Sequence, residues 1–272
     1  MSPRPPTTRI LRTREWADPV PGVRREVLHG EVLRDEGRPP LLFVAGFGHG
    51  AWVFAEHWLD RVAERGFPAA AVSLRGHGAS APAPRADLRA YVHDVVQAAA
   101  GLPRQAVLVG HGAGALVVAH ALARYPARAA VLAAPVLSGW PLLGTALRRH
   151  PFGTVPALFG AGLRLRARQL FSRELADEVA KSYVDRLGSA SARAQWQLLA
   201  RQRFEPPVGD PPVLVLGSPD DQVVPVAALN RVARRFGGAP LLFPGMGHDL
   251  MLDARWTEPV DAILDWLDAG TG

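Results

Sequence analysis

Near the end of the chain, His248 stands in Pro244-Gly245-Met246-Gly247-His248-Asp249. One segment earlier, Asp220 and Asp221 stand in Gly217-Ser218-Pro219-Asp220-Asp221-Gln222-Val223-Val224-Pro225. An imidazole oriented by a carboxylate is a general base able to take a proton near neutral pH. Such a base ordinarily activates a side-chain oxygen or sulfur as nucleophile. This chain has no cysteine, which removes the sulfur. The oxygen is missing as well. Gly110-His111-Gly112-Ala113-Gly114 lies between the apolar run Ala106-Val107-Leu108-Val109 and the helical stretch Ala115–Leu122. This reads as a strand, a sharp turn flanked by glycine, and a helix. Gly112, at the centre of the turn, offers room but no hydroxyl.

These groups need elements to hold them. Arg9–Trp16 and Arg24–Arg34 alternate in polarity and predict an antiparallel pair joined by the Pro19–Gly22 turn. Pro40–Ala45 is continuously apolar, as a strand buried on both faces should be. A helical pattern runs from Phe54 to Arg65, then a strand over Ala69–Leu74 leads into Arg75-Gly76-His77-Gly78-Ala79-Ser80. A helix is expected over Asp87–Ala100, and a further strand over Ala129–Val136. The alternation predicts a parallel sheet covered on both sides. It breaks after Leu137 and resumes with a strand at Pro212–Leu216. A helix at Val226–Phe236, a short strand at Pro240–Phe243 and a helix at Arg255–Leu267 complete it. Residues 138–203 carry proline and glycine punctuation and helical stretches, clearest at Glu174–Leu187 and Ala190–Arg201. The expected organisation is a core domain, 1–137 with 204–272, and an inserted helical lid, 138–203. Parallel α/β sheets bind ligands at the carboxyl ends of their strands. The glycine turn, the acid pair and the histidine all fall at such ends, in that order.

Taken together, Gly110–Gly114, Arg75–Ser80, Gly217–Pro225 and Pro244–Asp249 resemble the α/β-hydrolase family, of lysophospholipase and esterase type, from about residue 24 to 268. Gly110, His111 and Gly114 frame its nucleophile elbow, G-x-S-x-G, with the serine replaced by Gly112. The resemblance implies an α/β fold with a mostly parallel eight-stranded sheet, helices on both faces and an inserted helical lid. It implies His248 as base, Asp221 as orienting acid with Asp220 as the alternative, and an oxyanion hole from the backbone N–H groups of Phe47 and Ala113. The family's usual His-Gly before the oxyanion residue is here Ala45-Gly46. His111 precedes the nucleophile position and is expected to point elsewhere. Ser73 ends a different strand and is read as structural.

Composition bounds the rest. The 272 residues suit one large domain or a core with an insertion, and 48% hydrophobic residues support a sizeable core. The start of the chain lacks the apolar stretch of a signal peptide, and no run reaches the roughly 20 apolar residues of a membrane span. A cytoplasmic enzyme is the expectation. Of 31 basic residues only Lys181 is a lysine, and the net charge is +6. The arginines are spread along the chain with no interleaved aromatics, so no nucleic-acid partner is expected. Arg164, Arg166, Arg168 and Arg173 gather in the expected lid, where they suit an anionic substrate or face water. His49, His57, His77, His93, His120 and His150 have no acidic or histidine partner at metal-ligand spacing. They are read as structural or exposed, and no metal is expected. Gly46-Phe47-Gly48 lacks dinucleotide-binding spacing, and no cofactor is expected. Oligomeric state is not legible.

Three readings of the vacant position follow. In the first, a His248–Asp221 base acts without a covalent intermediate, on water held in the notch or on a substrate proton as in a cyclase or lyase. In the second, the protein is a non-catalytic binder that keeps the pocket. In the third, it is a serine esterase or thioesterase whose nucleophile was replaced. The insertion is rich in large apolar residues, and Trp140, Phe152, Phe159 and Trp196 are the expected pocket lining. The expected partner is a hydrophobic small molecule: an ester, a lipid-like compound or a polyketide-type secondary metabolite.

Overall fold

The computed structural model describes residues 18–32, 36–138, 165–200 and 202–270. Its strands are β1 (Val27–Gly30), β2 (Leu41–Val44), β3 (Ala69–Val72), β4 (Val107–His111), β5 (Ala129–Ala133), β6 (Val213–Gly217) and β7 (Leu241–Leu242). They form one sheet in the order β1-β3-β2-β4-β5-β6-β7. β1 runs antiparallel to β3, and every other pair is parallel. Seven strands are thus described where eight were expected. The edge strand β1 pairs with β3; the segment 9–16 expected to pair with it lies outside the described residues.

The helices follow from the apolar periodicity. α1 (Trp52–Ala55) and α2 (Trp58–Glu64) replace the single helix expected over Phe54–Arg65. The chain breaks at His57, whose φ of −147° is not helical. The His57 ring stacks on Trp256 at 4.6 Å, and Trp58 Nε1 donates to the Trp256 carbonyl, so docking against the C-terminal region outweighs one continuous helix. α3 (Leu88–Ala100) starts at Asp87, whose side chain accepts from the Ala90 amide as an N-cap. α4 (Ala113–Ala121), α8 (Val226–Arg235) and α9 (Thr257–Gly270) follow β4, β6 and β7. Alternate residues of each central strand face opposite layers. Phe43, Val109 and Val131 pack with Trp58 of α2 and Ile263 of α9. Leu42, Leu108 and Leu132 pack with Tyr91 of α3 and Val118 of α4. β2, β4 and β5 are buried along their whole length, which explains their unbroken apolar runs.

Between β5 and β6 lie α5 (Ala167–Leu170), α6 (Asp177–Asp185) and α7 (Ala192–Leu199). Residues 139–164 and 201 of this stretch are outside the described residues. α6 is clasped to α1: Arg186, just after it, lies over the Trp52 ring at 3.7 Å and pairs with Glu56 at 3.0 Å. Among the described residues no helix is long and apolar enough to cross a membrane.

The sheet order reverses beside β2. From β2 the chain moves outward to β3, then returns to lay β4 on the other side. Loops diverge at such a switch point and leave a crevice beyond the carboxyl ends. The two loops that border it carry Gly46–Phe47 and Gly112–Ala113.

Candidate active site

The elbow is built by steric necessity. A Cβ on Gly110 would lie 2.7 Å from the Ala115 Cα, and one on Gly114 would lie 2.4 Å from the Val44 carbonyl oxygen. Only glycine lets α4 leave β4 at this angle so close to β2. Gly112 itself has φ +54° and ψ −122°. Its amide donates to the Ala133 carbonyl at 3.0 Å, and its carbonyl accepts from Ala115 and Val136 at 3.2 and 2.9 Å. The strained turn is therefore held from both sides, as a turn presenting a nucleophile would be, although no side chain is presented.

His248 arrives opposite. Its Nε2 lies 3.2 Å from the position of a Cβ on Gly112. Its Nδ1 donates to Asp221 Oδ2 at 2.8 Å. Asp221 Oδ1 accepts from the amides of Val223 and Val224 at 2.6 and 3.0 Å, which fixes the carboxylate within its own loop. Both side chains are buried. Asp220 is exposed and turns away, accepting from the Gly245 amide at 2.7 Å and so tying the acid loop to the base loop. Burial opposes charge on the His248 ring. The charge and hydrogen bond of Asp221, with Asp249 behind it, more than offset this, and the ring holds its proton to a higher pH than usual.

The crevice floor is glycine. The Gly46 Cα would stand 3.8 Å from a Cβ on Gly112, which brings the Phe47 loop against the elbow. Ala113 is the first residue of α4, so its N–H has no acceptor within its own helix. Beside the Phe47-Gly48-His49 loop lies a cavity of about 390 Å³, walled in part by Leu165, Leu170, Val184 and Leu187. The Gly188 amide, just past α6, donates to the Gly48 carbonyl at 2.7 Å, so the insertion is bonded directly to this loop.

Several expectations need correction. His111 does not point away. Its ring centroid is 4.9 Å from that of His248, and its Nε2 donates to the His248 carbonyl at 3.1 Å. His49 has an acidic partner after all: its Nε2 meets Asp249 Oδ2 at 3.0 Å, and both are buried. That pair is 200 residues apart in sequence, so no local spacing could have signalled it. Trp196 is half exposed, because α7 buries Ala194 and Leu198 on the face opposite to it. Trp140, Phe152, Phe159 and Arg164 lie outside the described residues. Ser73 is buried and braces loops: its Oγ donates to Glu26 at 2.5 Å and accepts from the Ala51 amide at 2.7 Å. The Arg75–Ser80 motif is an anchor, with Arg75 bidentate to buried Asp94 at 2.7 and 2.9 Å.

Among the described residues, His111, His248 and Asp249 have the composition of a metal-ligand set. Their donor atoms all lie within 4.8 Å of one another. His111 Nε2 also faces a carbonyl and His248 Nδ1 a carboxylate, so the set reads as a hydrogen-bonded cluster.

No curated protein matches the sequence. Among solved structures, a soluble variant of monoglyceride lipase from Saccharomyces cerevisiae is similar over 92% of both chains, with a TM-score of 0.74 at 14% identity. Monoacylglycerol lipase from Paleococcus ferrophilus matches 90% of this chain and 98% of its own, with a TM-score of 0.66 at 19% identity. An esterase from a Rhodococcus species matches 91% and 95%, with a TM-score of 0.67 at 21% identity. At these identities the likeness is one of fold. Residues 41–265 match the model of the alpha/beta hydrolase family, a span running from β2 through the elbow, acid and base loops into α9. The chain belongs to the alpha/beta hydrolase family.

Proposed function

We propose that this hydrolase-like enzyme acts on a hydrophobic small molecule with His248 as general base, oriented by Asp221, and with no covalent intermediate on the chain. The single observation that carries the reading is the approach of His248 Nε2 to the vacant side-chain position of Gly112, with Nδ1 fixed on Asp221. A hydrolase that had lost its chemistry would be under no physical demand to keep this alignment.

In the reaction, a water beyond Gly112, or an acidic substrate proton, meets Nε2. The ring takes the proton and Asp221 stabilises the imidazolium. For an ester, the water oxygen bonds to the carbonyl carbon, and charge develops on the carbonyl oxygen toward the Phe47 and Ala113 amides. Collapse expels the alcohol, which recovers the proton from His248. Residues 138–203 act as the lid, and the cavity beside the Phe47 loop, lined by Leu165, Leu170, Val184 and Leu187 together with His49, Asp185 and Ser189, has the volume that suits a small organic ligand.

The experiment is a chain-length series of p-nitrophenyl esters, acetate to laurate, with the native protein and His248→Ala. General-base loss should cost roughly 10²–10⁴-fold in kcat/KM without loss of fold. An unchanged rate in the variant refutes the role of His248. A folded native protein that retains an apolar fluorescent probe yet turns over no substrate would instead mark a binding protein.

A further inference from the structure

Behind the base lies a second carboxylate that the reaction as proposed leaves unused. Asp249 follows His248 in the chain and is fully buried. Its Oδ2 accepts from His49 Nε2 at 3.0 Å. Among the described residues its Oδ1 has no hydrogen-bond partner within ordinary range, and it lies 3.5 Å from His111 Nε2. A buried carboxylate oxygen held this weakly is costly, and such a group in a native fold calls for a role.

The three histidines show where that charge acts. His49 belongs to the loop after β2, and its Nδ1 faces the Phe47 carbonyl at 3.2 Å. His111 ends β4 at the elbow. Its Nε2 faces two acceptors, the His248 carbonyl and Asp249, so the proton sits on Nε2, and Nδ1 is an acceptor without a partner among the described residues. Burial and the neighbouring His248 hold His111 down at about 3, so near neutral pH it adds no positive charge. Asp249 therefore ties the oxyanion loop, the elbow and the base loop to one buried group, with a carboxylate oxygen within 4.8 Å of a His248 ring nitrogen, and His111 adds no positive charge beside it. The other groups facing this loop are accounted for. Asp221 approaches from the β6 side, and the Leu170 carbonyl accepts the Asp249 amide at 2.9 Å. Asp253 is spent on loop closure, accepting from the Gly247 amide at 2.5 Å and from Ser172 Oγ at 2.5 Å.

We propose that Asp249 is a positioning residue that works as a second carboxylate of the base, favouring the protonated His248 ring while holding the Phe47 loop against the elbow through His49. The inference rests on His248 being the base, but its test does not need turnover. The titration of the His248 ring is followed by NMR in the native protein, in Asp249→Asn and in Asp253→Asn. Asp253→Asn is the structural control, since it loosens the same loop. The expected result is a downward shift of the His248 midpoint in Asp249→Asn, with the native midpoint kept in Asp253→Asn and a lower melting temperature in both. An unmoved midpoint in Asp249→Asn, or equal movement in both variants, overturns the proposal. Should Asp249→Asn not fold, ring-nitrogen NMR of the native protein decides. A neutral His111 protonated on Nε2 near neutral pH supports the proposal, and a charged His111 overturns it. Where an ester is turned over, the acid limb of kcat/KM in Asp249→Asn should move to lower pH with KM unchanged. If the His248 shift is seen and no ester is turned over, Asp249 keeps its role and the assigned reaction falls.

Discussion

Replacing Gly112 by serine and, separately, by alanine separates the space at this position from the oxygen it lacks. The backbone at φ +54°, ψ −122° is one that side-chain-bearing residues rarely adopt, and holding one there costs about 1–3 kcal/mol. At roughly 2–4 °C per kcal/mol for a chain of this size, both variants should melt about 2–12 °C lower than the native protein. Either Cβ would stand 3.2 Å from His248 Nε2, tighter than ordinary contact, so the ring must retreat by a few tenths of an ångström. His248 is restrained by a single side-chain partner on Nδ1, and rotation about its own bonds can absorb that shift. In Gly112→Ser the hydroxyl then lies within reach of Nε2. A serine-hydrolase triad is worth about 2 × 10⁶ in kcat. Even an imperfect one should raise acylation by an activated ester at least about 10²-fold, or about 2.7 kcal/mol of barrier. The assay is stopped-flow release of p-nitrophenol, with a burst equal to the enzyme concentration, alongside fluorophosphonate labelling. Gly112→Ala carries the same strain and fills the notch with no oxygen, so it should lose the native turnover. A folded Gly112→Ser that neither bursts nor labels refutes the geometry of the elbow. A Gly112→Ala that keeps native turnover shows that the reaction does not use this space.

Three further outcomes follow from the charges. The raised His248 value means that the free base forms only at higher pH, so kcat/KM should rise with pH through a midpoint above the ordinary 6.5. By linkage, the protonated ring stabilises the fold below pH 6.5, and that contribution is lost as pH rises through the folded-state value; pH-dependent melting reads both. Asp94→Ala leaves Arg75 buried without its carboxylate, which should cost about 3–5 kcal/mol and roughly 6–20 °C in melting temperature. A fall under about 2 °C would show that the pair does not anchor the Arg75 turn.

The architecture was legible because the signals were local. Continuous apolar runs at Leu41–Val44, Val107–Val109 and Ala129–Ala133 mark strands buried on both faces, and the glycines at 110 and 114 mark a helix crowding its strand. The order of elbow, acid loop and base loop followed from strand ends alone. What stayed hidden was set by distance in sequence. The His49–Asp249 pair and the tilt of His111 under His248 depend on three loops meeting at the sheet's switch point, and neither leaves a short-range pattern. The break at His57 leaves no mark in the apolar periodicity, because stacking on Trp256 overrides it. Trp196 stands half exposed, because apolar character alone does not say which face of a short helix is covered.

The most direct measurement is intact-protein mass spectrometry sampled while the native protein turns over an activated ester. Direct general-base chemistry predicts continuing product formation with the protein at its unmodified mass throughout, and no product from His248→Ala. An acyl adduct accumulating on the native chain, or undiminished turnover by His248→Ala, would contradict a histidine base working across an empty elbow.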